Sequence, residues 1–287
     1  MNEKNKLSSI KESVERLANM SMEDIYKAGV GIFSDNFWQS SLPTYIENWP
    51  KGLQELSIPS IRIKLSVNEA RALGSNIAEL GESFSEKRQS IENIIDRISC
   101  ELFIKDINYK KFYFVRMGSR SPKDSYYIYE NGNKASNTID VIKILTSASE
   151  RIYEDLHLAI KNNYEPSIYL REWCEEIKAV PSNEFRCFMV NKKLVGISQY
   201  NYYETYKDIK SNKGCIIRLI KRFFKTFVNI IHLNSCVFDV FVNVYFKKVI
   251  LIEINPLHPL TNPCLFDGRK FKNNFLYNKA FIESVKI

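Results

Sequence analysis

Residues 237–256, VFDVFVNVYFKKVILIEINP, constrain this chain more than any other stretch. β-branched and aromatic residues dominate it, with a polar break around Lys247, so the spacing predicts a hairpin of two core strands. Asp239, Glu253 and Asn255 interrupt the apolar run. A buried carboxylate without a partner is costly, so such residues are paired, hydrogen-bonded or metal-bound. Residues two apart share a strand face, which puts Glu253 and Asn255 together. A turn centred on Lys247 places Asp239 on that face, opposite Asn255, with Glu253 opposite Phe241.

Two carboxylates and an amide oxygen, without His or Cys, suit a hard cation such as Mg²⁺. A metal–nucleotide site also needs cations for the phosphates. Arg116, Arg120 and Lys123 flank a Gly/Ser turn, while Arg171 and Arg186 interrupt apolar strands. The same residues allow a plainer reading. Arg171 or Arg186 could neutralise Glu253 or Asp239 in a closed ion pair, or the acids could hydrogen-bond loops. Neither G-x-x-x-x-G-K-[ST] nor G-x-G-x-x-G occurs, so a P-loop and a Rossmann fingerprint are both excluded.

The surrounding pattern is α-rich first and then mixed. Leu7, Ile10, Val14, Leu17 and Met20 recur at helical spacing. A strand is expected at 60–65, with Ser66 as N-cap of a helix from Val67, and a second helix over 87–99. Further strands are expected at 111–116 and 166–173, and helices from Thr138 and over 148–162. A hairpin is expected over 184–190 and 193–199, and an amphipathic helix over 202–233. This order predicts an α+β chain with an antiparallel sheet. With 287 residues, 45% hydrophobic and 26% charged, the chain can bury a sizeable core. No apolar run is long enough to cross a membrane, and the first twenty residues are too polar for a secretory leader. Six scattered cysteines without a C-x-x-C read as reduced core residues of a cytoplasmic protein. Three histidines without H-E-x-x-H argue against zinc chemistry. The net charge of +8 permits attraction to phosphate or an acidic partner. Arg218, Lys221, Arg222 and Lys225 read as the solvated face of a core helix, and nucleic acid is not an expected partner.

SRSPKD (119–124), LREW (170–173), EFRCF (184–188), GISQ (196–199), VFDV (237–240) and LIEINP (251–256) occur in that order. Together they resemble the cell division cycle protein 123 family, a eukaryotic branch of the ATP-grasp fold, from about Trp49 to Phe266. The resemblance implies two lobes whose antiparallel sheets clamp ATP and Mg²⁺. It implies a first lobe at 31–165 and a second lobe at 166–287 carrying the metal site, after a helical extension at 1–30 that the spacing predicts and that is private to this chain. By the same resemblance Asp239, Glu253 and Asn255 are metal ligands. Arg116 stands where the family has a phosphate-facing lysine, and Lys123 matches a basic turn position. LREW becomes the hinge strand beside adenine, with Leu170, Arg171 and Trp173 at the nucleotide. Glu175 or Glu176 would reach the ribose, and Arg186 would face the phosphates. This chain departs from the family in carrying Glu253 for Asp and Thr261-Asn262 for an acidic residue, and in lacking long acidic insertions. Its Lys, Asn and Ile content is consistent with a compact bacterial or viral member.

The resemblance implies a cytoplasmic, chaperone-like assembly factor that binds the gamma subunit of translation initiation factor 2, in a host cytoplasm if the chain is an effector. A ligase that activates a carboxylate with ATP is the alternative. The sequence holds no identifiable acceptor pocket to choose between them.

Overall fold

The computed structural model describes residues 35–74, 84–106, 111–147, 149–266, 270–279 and 281–287. The helix expected over residues 1–30 lies outside them. The chain divides into two units.

One unit takes residues 58–175 with 45–47. Its sheet has three strands, β1 (Ser60–Lys64), β2 (Tyr113–Met117) and β3 (Ser167–Glu172), with β3 in the centre and both pairings antiparallel. Ile61, Ile63, Val115, Met117, Ile168 and Leu170 project from one face into an apolar core. That core is completed by Val67–Gly74, Phe84–Asp106, Thr138–Thr146 and Glu150–Lys161, through residues such as Ile94, Ile98, Ile144 and Leu156. The start of Val67–Gly74 is a reciprocal cap. Glu69 N–H donates to Ser66 Oγ at 3.2 Å, and Ser66 N–H donates to Glu69 Oε2 at 2.8 Å. Thr138, expected as a cap, is already helical; Asn137 caps it by accepting from Asp140 N–H. Tyr126–Asn131 is a further short helix that the pattern did not predict.

The last change of unit falls after residue 175, because β3 bonds β1 and β2 rather than the strands that follow it.

The other unit holds residues 176–287 with 35–44 and 48–57. Its sheet contains β4 (Glu184–Val190), β5 (Lys193–Gln199), β6 (Cys236–Asn243), β7 (Lys248–Asn255), β8 (Asn274–Lys279) and β9 (Phe281–Lys286). The spatial order is β7-β6-β4-β5-β8-β9. The expected antiparallel sheet has one exception, since β5 and β8 run parallel. Asn191 and Lys192 adopt φ of 48° and 62°, the left-handed pair of a tight hairpin turn between β4 and β5. The helix Lys207–Ile230 lays Phe223 and Phe227 on Phe238 of β6, with ring centroids 6.4 and 4.3 Å apart. Fully burying such a side chain is worth roughly 1.5–3 kcal/mol, so the apolar stripe outweighs the cost of Gly214 within the helix, about 1 kcal/mol. Among the described residues no helix is long and apolar enough to cross a membrane. All six cysteines are free thiols, but only Cys187 and Cys236 are buried, and Cys100 is exposed. The expectation of six core cysteines therefore fails for Cys100, which its helix exposes, and for Cys174, Cys215 and Cys264, which are only partly buried.

Candidate functional site

Each sheet presents one apolar face to its helices and one polar face elsewhere. In the three-stranded sheet, Arg62 pairs with Tyr169 and Tyr169 with Arg116, while Ser60 pairs with Arg171 and Arg171 with Phe114. Cross-strand partners share a face, and so do residues two apart, so Arg62, Arg116 and Arg171 stand on the side opposite the core. Arg116 and Arg171 are each only 2% exposed. Arg116 Nε donates to the Met117 carbonyl at 3.0 Å and Nη2 to the Ser119 carbonyl at 3.0 Å, which folds the guanidinium onto the turn after β2. Arg62 Nε donates to Ser167 Oγ at 3.0 Å.

The residues expected along this edge divide. Lys123 is exposed in the turn. Leu170 is fully buried in the core, so only its backbone belongs to the polar edge. Trp173 N–H donates to the Phe112 carbonyl at 2.8 Å. Lys134 Nζ lies 4.3 Å from the Phe112 ring centroid and 5.3 Å from that of Trp173, and donates to Glu175 Oε1 at 2.5 Å. Lys134 and then the Trp173 indole hold the Glu175 carboxyl below its ordinary range. Lys134 escaped the sequence reading because a single lysine in a polar loop carries no signal.

Arg120 leaves the list of phosphate ligands. Its Nε and Nη2 donate to Asp155 Oδ1 at 2.9 and 2.6 Å, and Nη2 also donates to Glu154 Oε2 at 2.8 Å. Burial opposes its charge, but Asp155 foremost and then Glu154 raise its pKa above the ordinary value. Glu47 is a second residue the sequence did not flag. Tyr164 Oη donates to its Oε1 at 3.2 Å, and burial raises its pKa. A Cβ built on Gly118 would lie 1.6 Å from Glu47 Oε2, so the glycine of the MGSRSPKDS turn makes room for this carboxylate.

The six-stranded sheet carries a row of different sign. Ser198 of β5, Arg186 of β4, Asp239 of β6 and Glu253 of β7 are successive cross-strand partners. Asp239 is completely buried. Arg186 grips it with two bonds, Nε to Oδ1 at 2.8 Å and Nη2 to Oδ2 at 2.7 Å. The third nitrogen, Nη1, donates to the Asn262 carbonyl at 2.8 Å, and the Tyr200 ring centroid lies 5.0 Å from Cζ. Glu253 Oε1 is 3.7 Å from Arg186 Nη2 and accepts from Asn255 Nδ2 at 3.1 Å. Of the two readings left open, the Arg186–Asp239 ion pair is formed, and Glu253 stays at its edge. Arg186, expected on the phosphates, commits its planar fork to Asp239.

Burial pushes Asp239 up from 3.8 to about 6; Arg186 acts against this, and Glu253 adds to it. Even a bidentate arginine does not offset the loss of hydration for a carboxylate beside a second carboxylate. With both acids ionised, the three charges sum to −1. That excess fits a divalent cation chemically. The donors are all oxygens, and each carboxylate oxygen has two lone-pair sites, so an arginine bond does not exhaust Asp239. Among the described residues no group of three or more His, Cys, Asp or Glu gathers in metal-binding geometry. A cation here would therefore have Glu253, Asn255 and an oxygen of Asp239, with water or phosphate filling the remaining positions.

The register differs from the expected one. Asp239 faces Glu253, and Asn255 faces Val237. A two-residue shift preserves the face, so the three residues still share it. The turn alone would have broken this arrangement. From Asn243↔Lys248 to Val240↔Leu251 the ladder follows a register in which Asp239 would meet Ile252. A one-residue slip beyond Val240 brings Glu253 opposite Asp239 instead. Without it, Glu253 would point to the helix-covered face.

One end of this polar face is closed by Phe266 and Phe271, whose centroids lie 5.2 and 4.6 Å from that of Phe188. A Cβ on Gly196 would be 2.8 Å from Phe266 Cζ, which accounts for the glycine of GISQ.

Comparison with known proteins locates this architecture. The structure of Cdc123 from Schizosaccharomyces pombe superposes with a TM-score of 0.61 and 23% identity, covering 81% of this chain and 90% of that one. A C-terminally truncated Cdc123 from the same organism gives 0.61 and 22%. The chain thus has the α+β, ATP-grasp-like fold of these neighbours. The translation initiation factor eIF2 assembly protein of Xenopus laevis is 30% identical over 56% of this chain and 49% of its own length. The protein of the same name from Vanderwaltozyma polyspora is 29% identical over 63% of this chain and 51% of its own. The chain spans about half the length of these relatives. The model of the D123 family matches residues 66–283. The chain belongs to the D123 family.

Proposed function

We propose that this chain is an ATP- and Mg²⁺-binding assembly factor that acts on translation initiation factor 2 through its gamma subunit. The observation that carries this reading is the pair of polar faces of opposite sign, within a family whose relatives are named eIF2 assembly proteins. The arginine face, with Arg116, Arg171 and the exposed Lys123, supplies charge for a polyphosphate; Arg in particular matches phosphate geometry. Glu253, Asn255 and Asp239 supply oxygen ligands for a Mg²⁺ ion. Arg186 holds Asp239 in place rather than contacting phosphate itself. Trp173, Lys134 and Glu175 offer an aromatic and charged edge for base and ribose. Bound nucleotide then orders the surface that engages the partner.

The test is retention of the isolated gamma subunit by the full chain, with and without Mg·ATP. The reading predicts retention strengthened by Mg·ATP, with that strengthening lost in Glu253→Gln/Asn255→Ala. Equal retention with and without nucleotide removes ATP from the role, and no retention in either condition removes the partner.

A further inference from the structure

The helix Lys207–Ile230 has two unlike faces. Ile216, Leu219, Ile220, Phe223 and Phe227 are buried. Arg218, Lys221, Arg222 and Lys225 are exposed and recur at i, i+3, i+4 and i+7, so they line one stripe about 10 Å long. Asp208 is the sole acidic residue of the helix and lies in its first turn, away from the stripe. Solvation alone accounts for a cationic stripe. It does not account for what stands beside it.

The turn between β6 and β7 projects Tyr245 and Phe246, which are 86% and 65% exposed. Their centroids are 4.8 Å apart and their planes cross at 88°. The turn is built rather than loose. Phe246 N–H donates to Asn243 Oδ1 at 2.9 Å, and Asn243 Nδ2 donates to Glu176 Oε2 at 2.8 Å. Arg222 Nη2 donates to the Lys247 carbonyl at 2.9 Å, which ties the stripe to the turn. Two exposed aromatic rings on a fixed turn, next to a guanidinium-rich stripe, have the composition of an interface centre rather than of ordinary surface.

We propose that the Arg218–Lys225 stripe and the Tyr245–Phe246 turn together dock an acidic protein segment bearing a large apolar side chain. Its carboxylates face the stripe, which lacks any acidic residue of its own, and its apolar side chain covers the two rings. RNA is the weaker fit, because rings crossed edge-to-face give no continuous platform for successive bases.

The experiment is fluorescence anisotropy of the full chain against two labelled probes at physiological salt. One is a short Glu-rich peptide containing Phe, and the other is poly-U RNA of matching charge. The peptide is expected to bind more tightly than the RNA. Arg218→Glu/Lys221→Glu/Lys225→Glu, which spares the Arg222 bond, is expected to weaken peptide binding by about tenfold or more, and Tyr245→Ala/Phe246→Ala by about tenfold. All these side chains are exposed, so unfolding midpoints should match the wild type, and single Lys225→Glu and Phe246→Ala variants give the same ranking with less perturbation. RNA binding as tightly as peptide would make this a nucleic-acid surface and overturn the proposal. Peptide binding unchanged by loss of the rings would reduce it to polyanion attraction and overturn it equally, as would absence of peptide binding.

Discussion

The two polar sheet faces solve the burial of charge in different ways. On the three-stranded sheet, Arg62, Arg116 and Arg171 stand in rows with Tyr169, Ser60 and Phe114, and those rows contain no carboxylate. Arg116 donates to the backbone carbonyls of its own turn. On the six-stranded sheet, a row with two carboxylates contains its own arginine, yet Asp239 is still raised to about 6. A guanidinium has five donors to distribute and weak hydration to lose, whereas a carboxylate loses strong hydration and needs a cation. On the reading proposed above, the first face takes phosphate and the second a metal ion.

The largest effect should come from breaking the second face. Asp239→Ala leaves Arg186 buried without its carboxylate and should cost about 3–5 kcal/mol. Asp239→Leu/Arg186→Met, which removes both charges, should recover most of that. Urea denaturation at neutral pH measures both, and an Asp239→Ala loss below about 1 kcal/mol would show that the pair is not what holds the row together.

Next in size is a change on the first face. Arg171→Ala should reduce ATP affinity by about 10- to 150-fold, the worth of a charged hydrogen bond of roughly 1.5–3 kcal/mol, and should do so with or without Mg²⁺. A loss confined to the Mg²⁺ titration would show that Arg171 acts through the metal rather than on phosphate.

The smallest effect concerns pH. Burial raises both Glu47 and Asp239 above their ordinary values. The native state therefore holds these protons more tightly than the unfolded chain does. The stabilisation from each is fully present below the ordinary carboxylate pKa and is lost as pH rises through the folded one, for Asp239 between 3.8 and about 6. Glu47→Gln removes one of the two contributions. It should flatten the stability–pH curve above pH 4.5, the ordinary value of this carboxyl, and raise stability at neutral pH. A wild-type curve that rises with pH across this window would contradict the sign.

Much of this was legible in the sequence. Ser66 announced a helix start, and apolar runs whose side chains alternate between faces located β1 to β7. The shared face of Asp239, Glu253 and Asn255 followed from the same alternation. The partners within that face did not, because they depend on a one-residue slip near Ile252 that no residue type marks. Arg120 looked the same as Arg116 in sequence, and only the position of Asp155 on a distant helix distinguishes them. Strands β8 and β9 escaped because NFLYNK and FIESVK mix polar residues into short runs, and a parallel pairing to β5 leaves no local signal. Glu47 and Lys134 act through tertiary neighbours alone.

The central claim is that the acidic row completes a metal–nucleotide site. Calorimetric titration of ATP, with and without Mg²⁺, into the wild type and Glu253→Gln/Asn255→Ala tests it most directly, because that variant leaves the Arg186–Asp239 pair intact. The account predicts Mg²⁺-dependent binding in the wild type and loss of the Mg²⁺ dependence in the variant. Wild-type protein that is folded and takes up no ATP, or a variant that binds Mg·ATP as the wild type does, would contradict it.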